Sequence, residues 1–321
     1  MKVLRLADSA TAPRLIVENA PRPHPGRGEL LIRVCAAGVI PTELSWYPTS
    51  HNKAGDKRIG AVPGHEFSGV IAEAGEDANG SQIGDEVFGM NDWFSDGATA
   101  EYCVAPYSAV APKPHSLTHA EAASVPISAL TAWQGLFDRA KLQPGERVLV
   151  HGGAGAVGIF AVQLAKLHGA RVTATASARD RDFVESLGAE RVIDYRAPRF
   201  EDEVGELDVV FDTVGGETLA RSWSLLKPLG RMVTIAASEE TATDDRTKQA
   251  FFIVEPNRQQ LTEISGLLDA QRLRAFVAAT VPLSQAEEAY SGRVQKLGAG
   301  KVVVVIADDS ANKSRPAKLI A

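Results

Sequence analysis

The sequence predicts an α/β fold in two parts, one β-rich and barrel-like, the other a doubly wound parallel sheet. Three observations predict it. Up to about residue 110, short apolar segments are broken by Gly and Pro. From Arg147 to about Ile235, strand-like and helix-like segments alternate. The first strand of that alternating stretch runs directly into a glycine-rich turn that opens a helix.

In chain order, "ELLIRVCAAGVI", "FSGVIAEAG", "DEVFGM" and "AEYCVAP" read as short strands of an antiparallel region, because turn residues recur between apolar runs. Around "LTHAEAASVPISALTAWQGLF" the pattern lengthens to helical. Then come "RVLVHG", a helix through Leu167, "RVTATAS", a helix through Leu187, "RVIDY", "DVVFDTV", a helix through Leu226 and "GRMVTIA". Such alternation marks a parallel sheet with helical crossovers. "FFIVEP", residues 251–256, reads as an apolar strand at the sheet edge. "KVVVVIA" is a strand with no helix to follow, expected to return to the first part. The tail "DDSANKSRPAKLIA" reads as a polar surface extension.

Composition narrows the function classes. A chain of 321 residues suggests about two domains. At 45% hydrophobic and 23% charged, it reads as a soluble globular protein. A net charge of -6 gives no basic footprint for nucleic acid. No run approaches the ~20 apolar residues of a membrane span, and the first ten residues lack the apolar core of a signal peptide. Cys35 and Cys103 are too few for a disulfide framework and lie in apolar segments, so buried thiols in a reducing cytoplasm are expected.

Gly153, Gly155 and Gly158 form G-x-G-x-x-G between a strand and a helix, the context that gives the pattern meaning. The first glycine permits the tight turn, the second lets a pyrophosphate approach backbone, and the third lets helix and strand pack closely. The helix start, at Ala156 and Val157, presents free N–H groups and partial positive charge to phosphate. The tip of the next strand reads Ser177 then Arg179, with no acid at the tip itself. A hydroxyl and a guanidinium suit a 2′-phosphate, and Tyr195 adds a second hydroxyl. NADPH is therefore the expected dinucleotide. The competing reading makes Arg179 and Arg181 solvated charges offset by Asp180 and Asp182.

The chain resembles the medium-chain dehydrogenase/reductase superfamily in its zinc-free quinone oxidoreductase branch. The resemblance is carried by "AAGV" at 36–39, "VPGHEFSGVI" at 62–71, "GDEVFGM" at 84–90, "AEYCVAP" at 100–106, "SVPISALTAWQGL" at 124–136, "VHGGAGAVGIFAVQLAKLHGARV" at 150–172, "LGAERVIDY" at 187–195, "DTVGG" at 212–216 and "GAGKVVVVI" at 298–306. It implies a discontinuous GroES-like catalytic domain, residues 1–123 and 280–321, around a Rossmann NADPH-binding domain at 124–279. It also implies cofactor contacts at Thr131, Val214 and Lys301, and a substrate pocket including Ile40, Trp46, Tyr47 and His65.

The departures are informative. Zinc-dependent members of the superfamily place cysteine ligands where this chain has Ile40 and, near the second, Ser128. Their structural zinc lobe needs four clustered cysteines, and "MNDWFSDGATAEY" supplies none. Of the usual ligands only His65 remains, with Glu66 beside it and Glu43 as the third residue that such a site would need. No bound metal is expected, and His65 and Glu66 are read chiefly as two polar residues hydrogen-bonding strands and loops at the cleft floor, with direct substrate contact as the alternative. The zinc-free relatives often carry Asn where Ile40 stands, so its loss makes the pocket greasier.

Without a Lewis acid, a conjugated acceptor is the economical substrate. Hydride adds to a quinone or an α,β-unsaturated carbonyl, and the charge spreads onto an oxygen that needs only hydrogen-bond donors. Thr42 and Tyr47 are the candidate donors. An enoyl-thioester reductase of polyketide type and a non-catalytic NADPH-binding protein are the alternatives. An open edge at residues 251–256 suggests a homodimer.

Overall fold

A computed structural model describes residues 1–7, 14–78, 80, 82–196, 199–236 and 244–307. The tail from residue 308 onward, read above as a surface extension, lies outside the described residues. The chain forms two compact units. The first comprises Met1–Pro126, Pro256–Asp269 and the described residues from Ala275 onward, and the second Ile127–Glu255 with Ala270–Arg274.

In the first unit, β1 (Lys2–Ala7) and β2 (Arg14–Asn19) form an antiparallel ribbon. A larger sheet is centred on β3 (Glu29–Gly38) and β4 (Glu66–Ala74) and continues through β5 (Glu86–Met90) to β7 (Val110–Pro112). β6 (Tyr102–Pro106) pairs with the first half of β3, and β14 (Lys301–Val305) with its last residues. β13 (Val277–Pro282) then pairs with β14 in parallel. The region is therefore a mixed sheet with one parallel pair, and not antiparallel throughout as its turn spacing suggested. β14 comes from the far end of the chain and has no local hairpin partner to fix its direction. Its return to this sheet matches the reading of "KVVVVIA". Alternate residues of β3, β4 and β6, among them Leu30, Ile32, Phe67, Ile71 and Cys103, form one buried cluster. Each large side chain so buried stabilises by roughly 1.5–3 kcal/mol.

The second unit is the doubly wound sheet. β8 (Arg147–Val150), β9 (Arg171–Ala176), β10 (Arg191–Asp194), β11 (Leu207–Asp212) and β12 (Leu226–Thr234) are all parallel, in the order β10-β9-β8-β11-β12. Strand order reverses between β8 and β11, and ligands of such sheets bind beyond the carboxyl ends of the strands at that reversal. The helix Ala156–Leu167 follows β8 and buries Ile159, Phe160, Val162 and Leu164. The residues 251–256 differ from expectation. Phe251 makes one isolated parallel bridge to Thr234, and the remainder is not a strand. Its burial still alternates, with Phe252 and Val254 buried and Ile253 60% exposed. Alternation of this kind shows that a segment lies extended on a surface, but not that it is hydrogen-bonded. Among the described residues no helix is long and apolar enough to cross a membrane.

Candidate active site

The glycine turn runs from His151 to Gly155 and ends as the helix Ala156–Leu167 begins. Gly153, Gly155 and Gly158 have separate tasks. A Cβ on Gly153 would press on Ala174 at 2.9 Å, so this residue allows the turn to sit against β9. A Cβ on Gly158 would strike the carbonyl of Gly152, so this residue lets turn and helix meet. Gly155 is exposed, has an ordinary φ of -75°, and a Cβ there would meet only the Gly152 carbonyl, at 3.1 Å. Its missing side chain leaves room on the outer face, where Ala156 and Val157 open the helix and no side chain caps it. That is the fit a pyrophosphate requires. Gly152, absent from the motif as read, adopts φ +74° and leaves 2.5 Å between a hypothetical Cβ and Thr213 Oγ1. The extra glycine in "HGGAGAVG" was its signal.

A buried polar lattice supports the turn from below. His151 Nε2 pairs with Ser222 Oγ at 2.8 Å and its Nδ1 with Thr175 Oγ1 at 3.2 Å. Thr213 Oγ1 donates to the His151 carbonyl at 2.7 Å. Burial pushes the imidazole pKa down to about 4, against the opposing charges of Asp212 and Glu201, so it is neutral at pH 7. The Asp212 carboxylate accepts from the backbone N–H of Val214 and of Gly215, and from Thr234 Oγ1 at 2.8 Å. This fixes the turn that leaves Val214 54% exposed.

The tip of β9 is tied to its neighbours through backbone. Gly153 N donates to the Thr175 carbonyl at 2.8 Å, and Tyr195 N to the Ala176 carbonyl at 3.1 Å. Ser177 thus follows the tip directly, Tyr195 is tied to it through backbone, and Arg179 stands in the short turn that comes next. Arg179 is solvent-exposed and the Arg196 guanidinium lies 4.7 Å from the centre of the Tyr195 ring. Arg181 is turned away, donating to the Val192 carbonyl at 2.5 Å. The reading that no acid stands at this tip is corrected by the structure. The short turn Ala178–Asp180 folds back, and Asp180 Oδ2 accepts from Ser177 Oγ at 2.5 Å. Counting residues along the chain placed Asp180 beyond the tip, but a tight turn shortens that distance.

Thr131 is buried in the helix Pro126–Trp133, and its Oγ1 donates to the Ile127 carbonyl at 2.6 Å. Ser128 of the same helix is 1% exposed and its Oγ has no hydrogen-bond partner.

In the first unit, Ile40 is half-buried and precedes the turn Pro41–Ser45. Thr42 is exposed, and its carbonyl accepts from Ser45 Oγ at 2.8 Å. Tyr47 is 53% exposed and stacks on His51 with ring centres 4.4 Å apart. Trp46 meets Trp93 edge-on at 5.2 Å, and His65 lies 5.2 Å from the same indole. His65 stands directly before β4 and Glu66 is its first residue. His65 Nδ1 pairs with Glu43 Oε2 at 2.7 Å, and Glu66 with Lys301. Lys301, read as a cofactor contact, is 6% exposed in this ion pair. Glu43 also accepts from Gly64 N at 3.0 Å. Tyr290 lies beside it, its hydroxyl 2.9 Å from Thr99 Oγ1. Burial, then the Glu43 charge, raises the Tyr290 pKa well above the usual phenol value. Trp93 and Tyr290 escaped the sequence reading because no local pattern marks them.

A catalytic zinc needs three protein ligands and an open position. The donor set does not fit one. Ile40 has no ligand atom and Glu66 is held by Lys301, which leaves His65 alone of the expected ligands, through Nε2, since its Nδ1 bond to Glu43 is one a ligating histidine also makes. Among the described residues no group of three or more His, Cys, Asp or Glu is disposed to hold a metal ion. Cys35 and Cys103 are both buried, and burial pushes the Cys103 thiol up to about 12.

Comparisons with known proteins agree with this architecture. Residues 26–115 match the family model for the alcohol dehydrogenase GroES-like domain, and residues 187–304 that for zinc-binding dehydrogenases. The chain is 32% identical to the 2-methylene-furan-3-one reductase of Solanum lycopersicum, over 95% of this chain and 79% of that protein. It is 31% identical to the mitochondrial NAD(P)H oxidoreductase RTN4IP1 of Danio rerio, over 96% of this chain and 89% of that one. Among solved structures, the quinone oxidoreductase of Coxiella burnetii superposes with a TM-score of 0.84 at 30% identity, covering 95% of this chain and 99% of that one.

Proposed function

Since the chain belongs to the medium-chain dehydrogenase/reductase superfamily, in its zinc-free quinone oxidoreductase branch, we propose that it is an NADPH-dependent reductase of quinones or α,β-unsaturated carbonyls that works without metal. The observation that carries this reading is the glycine turn, open at Gly155 and bonded through backbone to a strand tip that Ser177 and Arg179 follow and Tyr195 adjoins. A relative named for an enone substrate and another named for NAD(P)H support the same chemistry.

A reduced dinucleotide, held by its pyrophosphate at the turn, would supply the hydride. The chain's own residues do the rest. The open face at Gly155 and the N–H groups of the uncapped helix take the pyrophosphate. Arg179 and Arg196 offer charge to a 2′-phosphate. Val214 stands exposed beside the turn as an apolar contact. In the first unit, the ring cluster of Trp46, Trp93 and His65 is suited to a conjugated ring or chain, and Ile40 adds an apolar side chain to the same segment. Charge delocalised onto a phenolate or enolate oxygen needs hydrogen-bond donors but no Lewis acid, and the exposed hydroxyls of Thr42 and Tyr47 are the candidates. Solvent supplies the proton. The buried thiols fit a reducing compartment, the cytoplasm being the one proposed.

The test is a panel of quinones, enones, alkenals and plain ketones, followed by NADPH absorbance, with metal content measured on the same protein. Turnover of conjugated acceptors by metal-free enzyme is expected. Activity confined to plain ketones, or lost on chelation of about one zinc per chain, would falsify the reading.

A further inference from the structure

Resting on the dinucleotide reading just given, we infer that Asp180 is a specificity-determining residue that narrows the margin between NADPH and NADH. In a sheet of this order the ribose that carries the 2′ substituent is read at the tip of the second strand, here the tip of β9. Asp180 ends the turn Ala178–Asp180 and stands directly before the helix Arg181–Ser186. Aspartate in that position ordinarily accepts from the first backbone N–H groups of the helix. This one makes no such bond. Its carboxylate turns back to the strand tip and takes the hydroxyl of Ser177, itself 6% exposed, at 2.5 Å. Asp180 N also donates to the Ser177 carbonyl at 2.9 Å, which fixes the turn in this shape.

The charges at the tip decide the consequence. Arg179 Nε lies 3.6 Å from Asp180 Oδ2, and Arg196 Nη1 3.9 Å from Asp194 Oδ1. Two guanidinium groups thus face two carboxylates, and the tip is close to neutral overall. A 2′-phosphate has to compete with Asp180 for both Ser177 and Arg179, and meets a like charge as it does so. A ribose 2′-hydroxyl meets the opposite situation, because it can donate to the carboxylate in a charge-assisted hydrogen bond. Asp180 therefore weakens NADPH binding and strengthens NADH binding at one position. Both cofactors are expected to bind the wild-type enzyme, NADPH the more tightly but by no more than roughly tenfold.

The experiment titrates the full chain with NADPH and with NADH, read by binding calorimetry so that turnover is not needed. Asp180→Asn keeps the size of the side chain and removes its charge. It is expected to tighten NADPH roughly tenfold, weaken NADH several-fold, and so widen the ratio of the two constants by more than ~10-fold. Asp180→Ser, a second substitution suited to a turn, should move the ratio in the same direction. Asp182→Asn, two residues along and exposed, removes the same charge without touching the tip and should leave the ratio unchanged. An unmoved ratio in both Asp180 variants overturns the inference, as does an equal movement in Asp182→Asn. A wild-type chain that binds neither dinucleotide would instead overturn the cofactor reading beneath it.

Discussion

Gly155 and Gly158 carry the same letter in the motif and opposite consequences. Gly155→Val places a branched group on the open face of the turn, at an ordinary φ and away from the packed core. NADPH affinity is expected to fall by ~100-fold or more while the fold survives, the cost to stability being at most a few kcal/mol, or about 10 °C in melting temperature. Gly158→Val drives the side chain into the Gly152 carbonyl and should damage folding as well. Cofactor titration and thermal melts on the two variants separate shape from stability. Thr42→Val or Tyr47→Phe should leave NADPH binding intact and lower turnover by ~10²–10³ where the lost hydroxyl is the oxyanion donor. If neither slows reduction of a quinone or an enone, no named side chain donates to the oxyanion. His151 gives a pH signature at the same scale. Its folded pKa of about 4 lies below its ordinary 6.5, so the unfolded chain takes up the extra proton first. The stability this neutral imidazole gives is fully present above about pH 6.5. It is lost as pH falls toward 4, by roughly 3 kcal/mol. Denaturant melts from pH 7 to 4 should show that loss in wild type and a flatter profile in His151→Asn. The glycines were legible because a motif in the right context fixes their job. His151 was not, because a residue at a strand end gives no sign of Ser222, its partner 71 residues away.

The elements were legible where periodicity is strong. "RVLVHG" and "RVTATAS" form neighbouring parallel strands, and "KVVVVIA" returns to pair with β3. What no pattern specifies is the cross-link between elements. Lys301 on β14 reaches Glu66 on β4, 235 positions away, with both side chains nearly closed to water. In sequence they appear as an ordinary cation and an ordinary acid. Removing one partner of such a pair leaves a buried, unbalanced charge, which typically costs about 3–5 kcal/mol. Lys301→Met should therefore destabilise the first unit strongly. Lys301→Met combined with Glu66→Gln should recover much of the loss, because the charge is then gone from both sides. Chemical denaturation of the single and double variants measures this. If the double variant is no better than Lys301→Met, the pair does not act as a charge-balanced link between β14 and β4.

At the scale of the whole molecule, the expected homodimer has a candidate surface at the β12 edge of the second unit. Among the described residues, β12 is the last strand of its sheet, and beyond it only Phe251 makes a bridge. Leu229 on β12 is 90% exposed and Ile253 beside that edge 60% exposed. An open strand edge carrying apolar side chains is a template for a second chain, and a two-fold axis would present the same edge from both copies. Residues 251–256 do not close it, since their backbone is not paired along its length. A chain of 34.1 kDa is thus expected to sediment as a dimer at micromolar concentration. Leu229→Glu together with Ile253→Glu should shift it to monomer by burying like charges against each other across the axis. Neither residue belongs to the glycine turn or to the tip of β9, so NADPH titration should be unchanged in the double variant. A wild-type monomer throughout the micromolar range would remove the dimer. A double variant that remains dimeric would place the interface on another face.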